Sequence, residues 1–468
     1  MLSGMSATLP PDLLIDLLIE ADTLLPMTPG SPVIADGAVA IADGRLVFVG
    51  PRSELSHFTA RRTLRFPGGT VTPGLINLHA HLPHSLLLGA GDGLPVAEWL
   101  HRLIFPIERR AVDAEFVRVG AELALAQALA AGVTLSVDMF YFEEVIANAV
   151  EESGARAVLG QTVIGFPSPD AADAAVGLQR AARFLSAWRG HPRVEPAVAP
   201  HSAYTNTTDT LRAVRDLCQQ TGARCLIHLS EAQSELAQIA AQHGTTPIAY
   251  VDSLGLLDGP VVAAHVIYPD RGPRAQPAAQ PPGPDVALLA RKKVAVAHCP
   301  QSNLHMGEGI APVRRLLDAG VAVGLGTDGA GSAPGVDLLA DAALAGRLMK
   351  TVAGRPDAVS ASALLHLLTA GAAAALGRSD LGTLSVGSLA DVVVFEPSGP
   401  LADPLLCDPY ALLVYASAHR RVALTVVDGQ VCYERGAYPR LDVPRLAAEV
   451  AVQRERMRQA ISEVSGAL

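Results

Sequence analysis

Five segments of this chain place a metal-ligating residue at the end of an apolar run rich in β-branched residues. They are His79-Ala80-His81 in VTPGLINLHAH, His228 in RCLIHLSE, His265 in VVAAHVI, His298 in VAVAHCPQSN and Asp328 in VAVGLGTDG. Any one of them alone is more often a hydrogen-bonded core histidine or a helix-capping aspartate. Their shared context, a buried strand followed by a turn, predicts that the segments together build one metal site.

The predicted metal ligands are His79, His81, His228 and Asp328. His79 and His81 are two residues apart, so in a strand both side chains lie on one face. His228 ends the fifth predicted strand and Asp328 ends the eighth. Neutral imidazoles and a carboxylate suit a borderline-soft divalent ion such as Zn²⁺, and this set leaves one coordination position for water.

Glu231 follows His228 by three residues in HLSE. A carboxylate beside a metal site can take a proton from an activated water and return it to the substrate. A first-turn acid is also favoured by the helix dipole alone, but the neighbouring metal histidine favours the proton-transfer role. His265 could hydrogen-bond the attacking hydroxide and the tetrahedral intermediate. We therefore predict Glu231 and His265 as catalytic residues.

The elements that must position these residues alternate between strands and helices. A typical helix is predicted over 113–131, with Asp113 as its cap and Gly132 as its stop. This alternation indicates an α/β fold, a (β/α)8 TIM-type barrel whose chemistry lies at the C-terminal strand ends. An open doubly wound sheet is the alternative, although no G-x-G-x-x-G follows the first strand. Apolar strands are predicted to begin near residues 71, 133, 156, 194, 224, 261, 293 and 321.

Short strands at both ends of the chain predict a second, smaller domain. Residues 14–67 contain two apolar runs joined by Ala-Asp-Gly, and a second such turn follows at Asp428-Gly429. We predict a small β-sandwich built from both chain ends, in residues 1–70 and 381–440. The catalytic barrel would span 71–380 and a C-terminal helix 441–468. The Pro-rich segment 270–285 is predicted to be a loop, either on the catalytic face or a tolerated surface insertion.

The charge and cysteine content of the chain exclude some classes of binding partner. The 468 residues carry a net charge of −10, with 46 acidic against 36 basic residues, which argues against nucleic acid or an anionic membrane as the partner. Five cysteines form no C-x-x-C pair, which favours a reducing compartment. No basic leader and no apolar run of about 18 residues is present. We expect a cytoplasmic enzyme with a small-molecule substrate.

The complete motif set resembles the amidohydrolase superfamily, and within it the 5-methylthioadenosine/S-adenosylhomocysteine deaminases and their chlorohydrolase-like relatives. The resemblance runs from about residue 35 to 435. It implies the barrel-plus-sandwich fold, one Zn²⁺ per chain (Fe²⁺ being possible), hydrolytic release of ammonia from a purine ring, and a possible homo-oligomer. The motifs that carry it are LINLHAH, LPVAEWL…FPIE, APHSAYT, IHLSE, AAHV, AHCPQSN and LGTDGAGS.

The resemblance also implies roles for individual residues. The ligand set and the roles of Glu231 and His265 match those predicted above, and Asp328 would in addition accept a proton from the water. Glu108 matches an acid that binds both ribose hydroxyls, and Trp99 matches an aromatic of the pocket wall. His201 and Ser332 match groups that contact the substrate ring or sugar.

Departures from the family pattern bear on the substrate and on the number of metals. Relatives that use S-adenosylhomocysteine carry an arginine after the third strand, where Gln161 stands here. Two-metal members end the fourth strand with a carboxylated lysine, whereas this chain reads VAPHSAYT with His201. One metal is therefore expected, and S-adenosylhomocysteine is the less favoured substrate.

The function predicted from the sequence is deamination of a 6-aminopurine nucleoside, methylthioadenosine or adenosine. One alternative keeps the hydrolytic site but acts on a ribose-free ring such as a triazine, a pterin or an oxidised purine base. Another is a metal-binding scaffold without catalysis. The presence of Glu231 and His265 beside the ligands argues against the scaffold.

Overall fold

The computed structural model describes residues 14–55, 59–90, 92–271, 283–333, 335–399 and 408–465. Most of the Pro-rich segment, residues 272–282, lies outside these ranges, so its predicted character as a loop stays a prediction. Within the ranges, the strands are β1 (Leu14–Leu24), β2 (Ile34–Ala42), β3 (Arg45–Pro51), β4 (Thr59–Pro73), β5 (Leu75–Ala80), β6 (Val133–Phe140), β7 (Arg156–Val163), β8 (Val194–Pro200), β9 (Cys225–Leu229), β10 (Val261–His265), β11 (Ala295–His298), β12 (Val323–Leu325), β13 (Val392–Pro397), β14 (Arg420–Val427) and β15 (Gln430–Glu434).

Helices separate most of the central strands. None in the described ranges combines the length and apolar character needed to cross a bilayer. They are α1 (Val96–Glu98), α2 (Phe105–Ala111), α3 (Ala114–Ala130), α4 (Glu143–Ser153), α5 (Ala174–Ala187), α6 (Thr208–Thr221), α7 (Gln233–His243), α8 (Pro247–Ser253), α9 (Pro284–Lys292), α10 (Pro300–His305), α11 (Val313–Asp318), α12 (Leu338–Ala353), α13 (Ala361–Leu367), α14 (Ala370–Ala375), α15 (Pro409–Tyr415) and α16 (Val443–Ser465).

Strands β5 to β12 form one eight-stranded parallel sheet in sequential order, which confirms the (β/α)8 barrel. The first and eighth strands meet where Asp328 N–H donates to the carbonyl oxygen of His79 at 3.0 Å. Apolar side chains fill the interior, among them Ile76 and Leu226. The barrel is therefore closed beside two of the predicted metal ligands.

Local chemistry explains where two elements begin. Helix α3 starts after Asp113, whose carboxylate accepts from Phe116 N–H at 2.9 Å, and Gly132 follows it with φ +80°, as predicted. The first barrel strand was predicted wrongly to begin near residue 71. That run belongs to β4, and β5 begins only after Gly74, where a Cβ would lie 2.1 Å from Thr134 Oγ1. The other seven starts were predicted within two residues.

Both chain ends contribute to a second sheet. Its seven strands run in the order β15-β14-β13-β4-β1-β2-β3, so the late strand β13 pairs with the early strand β4. The hairpin turns at Asp43-Gly44 and Asp428-Gly429 lie where the sequence predicted them. The predicted sandwich strands thus form one continuous hydrogen-bonded sheet.

A buried ion cluster joins the barrel to this sheet. The guanidinium of Arg156, on β7, donates to both carboxylate oxygens of Asp391 at 2.9 and 3.2 Å and to Asp428 at 2.9 Å. The side chains of Arg156 and Asp391 are each 3% exposed. Neither charge has much access to water, so each depends on the other.

Removing Arg156 should therefore destabilise the protein. We expect Arg156→Met to lower the free energy of unfolding by about 3–5 kcal/mol, because Asp391 is left buried without a counter-ion. The matched control is Arg62→Met, which breaks a half-exposed pair with Glu434 and should cost less than about 1 kcal/mol. Urea denaturation of both variants measures the difference, and equal effects would contradict the joining role of Arg156.

Candidate active site

Four buried donors converge at the C-terminal end of the barrel. The ligand atoms of His79, His228, His265 and Asp328 all lie within 4.8 Å of one another. His81 belongs to the same cluster, since its Nε2 lies 3.2 Å from Asp328 Oδ1. The structure thus brings together every predicted ligand and adds His265 as a fifth candidate. The choice of four ligands among these five stays a prediction.

Hydrogen bonds from the Nδ1 atoms, which point away from the cluster, set the tautomers of His81 and His228. Nδ1 of His81 lies 2.7 Å from the carbonyl of Met139, and Nδ1 of His228 lies 2.8 Å from the carbonyl of His201. A carbonyl only accepts, so both Nδ1 atoms carry the proton. The two Nε2 atoms, 3.2 Å apart, then face each other with lone pairs. A cation is needed to relieve this repulsion, and the donor set fits a divalent metal.

The pKa values of the cluster residues also support a site for a cation. Burial alone would lower the pKa of His81, but the Asp328 carboxylate raises it to about 9. Burial lowers the pKa of His79 to about 4 and that of His228 well below its usual value. Burial would raise the pKa of Asp328, but the hydrogen bonds from His79 and His81 lower it well below its usual range. The buried carboxylate of Asp328 thus favours a positive charge beside it, which a divalent metal would supply.

Strained backbone at the strand ends aims these side chains. Asp328 has φ +60°, and the consecutive residues His265 and Val266 have φ +73° and +45°, a region that residues other than glycine rarely adopt. Gly326 permits the close approach of β12 to β5, because a Cβ there would lie 2.8 Å from the Cβ of His79. Strain concentrated at one end of the barrel is typical of a functional site.

Polar residues after β11 support the cluster, and the sequence analysis did not single them out. Asn303 Oδ1 lies 2.9 Å from Nδ1 of His265, whose Nε2 is buried without a hydrogen-bond partner. Ser302 donates to Asp328 Oδ2 at 2.5 Å, and Ser332 donates to the same oxygen at 2.9 Å. The Ser-Asn pair one turn after a predicted strand end was the available signal.

Glu231 lies beside the cluster as predicted. Its Oε1 is 3.6 Å from Nε2 of His265, and its backbone N–H donates to Glu235 at 2.8 Å. Ser230, with φ +52°, turns the chain between His228 and Glu231. Burial raises the pKa of the Glu231 carboxyl, which brings it closer to the range in which a group can both take and give a proton near neutral pH.

A cavity opens above the cluster. The segment 96–108 covers one side with Trp99 and Phe105, and Trp99 Nε1 donates to the carbonyl of Ala90 at 3.0 Å. Burial lowers the pKa of His201 to about 3, so its ring is neutral. Trp99, Glu108, His201 and Ser332 all line the cavity, and their contacts with a substrate stay a prediction.

Gln161 and His298 lie outside this site, in contrast to the sequence prediction. Both follow the strand alternation to the outer face of the barrel. The Gln161 amide donates to Asp170 at 2.9 Å, and its neighbour Thr162 lines the cavity instead. His298 lines a separate cavity with residues of α11 and α12. His265 shares that outward parity, but its left-handed backbone brings it into the site.

Comparison with known proteins agrees with this geometry. The family model described as "Amidohydrolase family" matches residues 70–432. This chain belongs to the amidohydrolase family. A 5-methylthioadenosine/S-adenosylhomocysteine deaminase of Nitratidesulfovibrio vulgaris is 35% identical over 93% of this chain and 96% of its own length. Like its family, the chain is a hydrolase that acts on carbon–nitrogen bonds and has a site for a divalent metal.

Solved structures show the same architecture. A zinc-bound adenosine deaminase from Xanthomonas campestris superposes with a TM-score of 0.89 at 32% identity, covering 96% of this chain and all of that one. A zinc-bound atrazine chlorohydrolase from Arthrobacter aurescens has a TM-score of 0.82 at 24% identity, covering 94% of this chain and 100% of its own. The second likeness concerns the fold alone.

The cluster yields a test of metal binding. Asp328→Asn removes the one carboxylate of the group His79, His228, His265 and Asp328. Loss of a residue that only hydrogen-bonds to a metal ligand lowers metal affinity by roughly 10–100-fold. The metal affinity of the Asp328→Asn variant should fall by more than this. Elemental analysis after dialysis against a fixed free zinc concentration measures the bound metal per chain. Glu108→Gln, which lies outside the group, should keep its metal. Undiminished metal in Asp328→Asn would contradict this site.

Proposed function

We propose that this amidohydrolase is a zinc-dependent deaminase of a 6-aminopurine nucleoside, methylthioadenosine or adenosine. The observation that carries the proposal is the placement of Glu231, a buried carboxyl with a raised pKa, between the metal cluster and a cavity that has Glu108 in its wall. The activities named for the relative from Nitratidesulfovibrio vulgaris and the solved adenosine deaminase support it. Zinc suits the donor set of imidazoles and one carboxylate.

The residues divide the chemistry between them. The metal, when bound, supplies a Lewis acid that activates water at neutral pH. Glu231 takes a proton from the attacking water and delivers it to N1 of the purine ring. For His265 to donate from Nε2 to the oxygen that adds at C6 and stabilise its developing charge, its Nδ1 must accept from the Asn303 amide. Asp328 accepts the remaining proton and passes it to the departing amine, so that water and the aminopurine give ammonia and the 6-oxopurine.

Charge in the cavity bears on the choice among nucleosides. Of the described residues that line it, none is an arginine or a lysine, whereas Glu108, Glu231 and Asp328 are acidic. The side chains Val96, Leu100, Phe105 and Met306 are apolar. An apolar or small 5′ substituent fits this lining, but a carboxylate has no cation to meet there. We therefore place S-adenosylhomocysteine behind the other two substrates.

Replacement of Glu231 tests the mechanism. Glu231→Gln should retain one metal per chain but lower kcat by about 10²–10⁴-fold, because the amide cannot transfer the proton. Glu308→Gln is the matched control, since Glu308 is a neighbouring acid that does not line the cavity. Loss of metal together with activity in Glu231→Gln would show a structural role instead.

A substrate panel tests the proposed class. Zinc-loaded protein is incubated with methylthioadenosine, adenosine and S-adenosylhomocysteine, and the ultraviolet change from adenine to hypoxanthine is followed with ammonia release. We expect kcat/KM for the first two to exceed that for the third by at least about tenfold. This is the effect of one missing contact between the carboxylate of S-adenosylhomocysteine and a cation. No turnover of any, with one zinc bound per chain, would refute the nucleoside proposal and favour a ribose-free ring. Glu108→Ala should then leave turnover of such a ring unchanged.

A further inference from the structure

Three polar side chains form a hydrogen-bonded cluster in the wall of the cavity. His84 Nε2 lies 2.9 Å from Glu108 Oε1, and the Tyr141 hydroxyl donates to Glu108 Oε2 at 3.2 Å. All three residues line the cavity, and His84 and Glu108 are only 5% and 4% exposed. Each oxygen of Glu108 therefore already accepts one hydrogen bond from the protein.

The hydrogen bonds define what Glu108 can still do. Nδ1 of His84 is buried without a partner, so the proton of a neutral ring belongs on Nε2, where the carboxylate accepts it. A carboxylate oxygen has two acceptor positions, and His84 and Tyr141 use one on each. One acceptor position per oxygen remains. Two adjacent hydroxyl groups of a ligand match such a pair of acceptors.

His84 also ties Glu108 to the metal cluster. It belongs to the short 3₁₀ helix Leu82–Leu87 that follows His81. The backbone N–H of His84 donates to the backbone carbonyl of His81 at 2.9 Å. The rings of His81 and His84 are 5.4 Å apart between centroids. On the far side lies Gly329, where a Cβ would come within 2.6 Å of His84 Nδ1. The imidazole is thus held between the metal-ligand loops and Glu108.

We propose that His84 is a positioning residue that fixes Glu108, relative to the metal-ligand residue His81, as the acceptor for a vicinal diol. Tyr141 restrains the other carboxylate oxygen. This inference rests on the proposed function and deepens it. The family resemblance already implies a diol contact for Glu108, and the new assignment is the residue that holds Glu108 in place. An acceptor that is fixed in the wall of a cavity selects ligands that can donate hydrogen bonds to it.

The test compares adenosine with 2′-deoxyadenosine and 3′-deoxyadenosine on zinc-loaded protein. Wild-type kcat/KM should favour adenosine by at least about 100-fold, since a site built for a hydroxyl rejects analogues that lack it. His84→Leu should reduce this preference at least tenfold, through a higher KM for adenosine, with little change in kcat. His84→Gln, whose amide can still donate to Glu108, should restore part of the preference. Tyr141→Phe should weaken it to a smaller extent.

Controls separate this role from a structural one. His101→Leu changes an exposed histidine of the covering segment and should keep the preference for the diol. Metal content and Tm are measured for every variant. An unchanged ratio in His84→Leu, or an equal loss for ribo and deoxy substrates, would overturn the inference.

Binding distinguishes this inference from the proposed function. Calorimetric titration of Glu231→Gln protein with adenosine and 2′-deoxyadenosine reports recognition without turnover. Suppose that wild-type protein deaminates no nucleoside while Glu231→Gln protein still binds adenosine more tightly, and loses this preference when His84 is also replaced. That result would refute the proposed deaminase function and support the diol site. If neither nucleoside is preferred, the diol site fails whatever the activity.

Discussion

The arrangement of the site depends on a repulsion that only a cation can relieve. The Nε2 atoms of His81 and His228 face each other at 3.2 Å, and the carboxylate of Asp328 lies equally close to His81. Backbone carbonyls of neighbouring strands hold both rings in the tautomer that creates this repulsion. The barrel backbone therefore holds two neutral imidazoles in an arrangement that favours a cation between them.

Burial extends the effect of this cluster outward. Water is excluded from the donors, so the charge of Asp328 is little screened, and Glu231 acquires a raised pKa in the same dry region. In the wall of the cavity above, Glu108 depends on His84 and Tyr141 for its hydrogen bonds. Metal binding, proton transfer and substrate recognition are thus linked through residues that touch one another.

The sequence predicted the barrel and most of the site because strand-end residues share a recognisable context. It could not determine which side of a strand each residue faces. His298 and His265 both end apolar runs, but only the left-handed backbone at His265 brings that ring to the metal. Gln161 likewise faces away from the cavity, which its neighbour Thr162 lines instead. The supporting residue Asn303 is on a neighbouring helix, and contacts between separate elements have no sequence periodicity.

The order of strands in the second sheet has a consequence for biosynthesis. Strand β4 pairs with β13, and ribosomes adding about 5–20 residues per second need on the order of 15–60 s to make the intervening chain. During this interval the edge of β4 has unpaired N–H and C=O groups, which invite pairing with foreign strands. The topology that joins early and late strands in one sheet thus leaves this edge of β4 open until β13 has been translated.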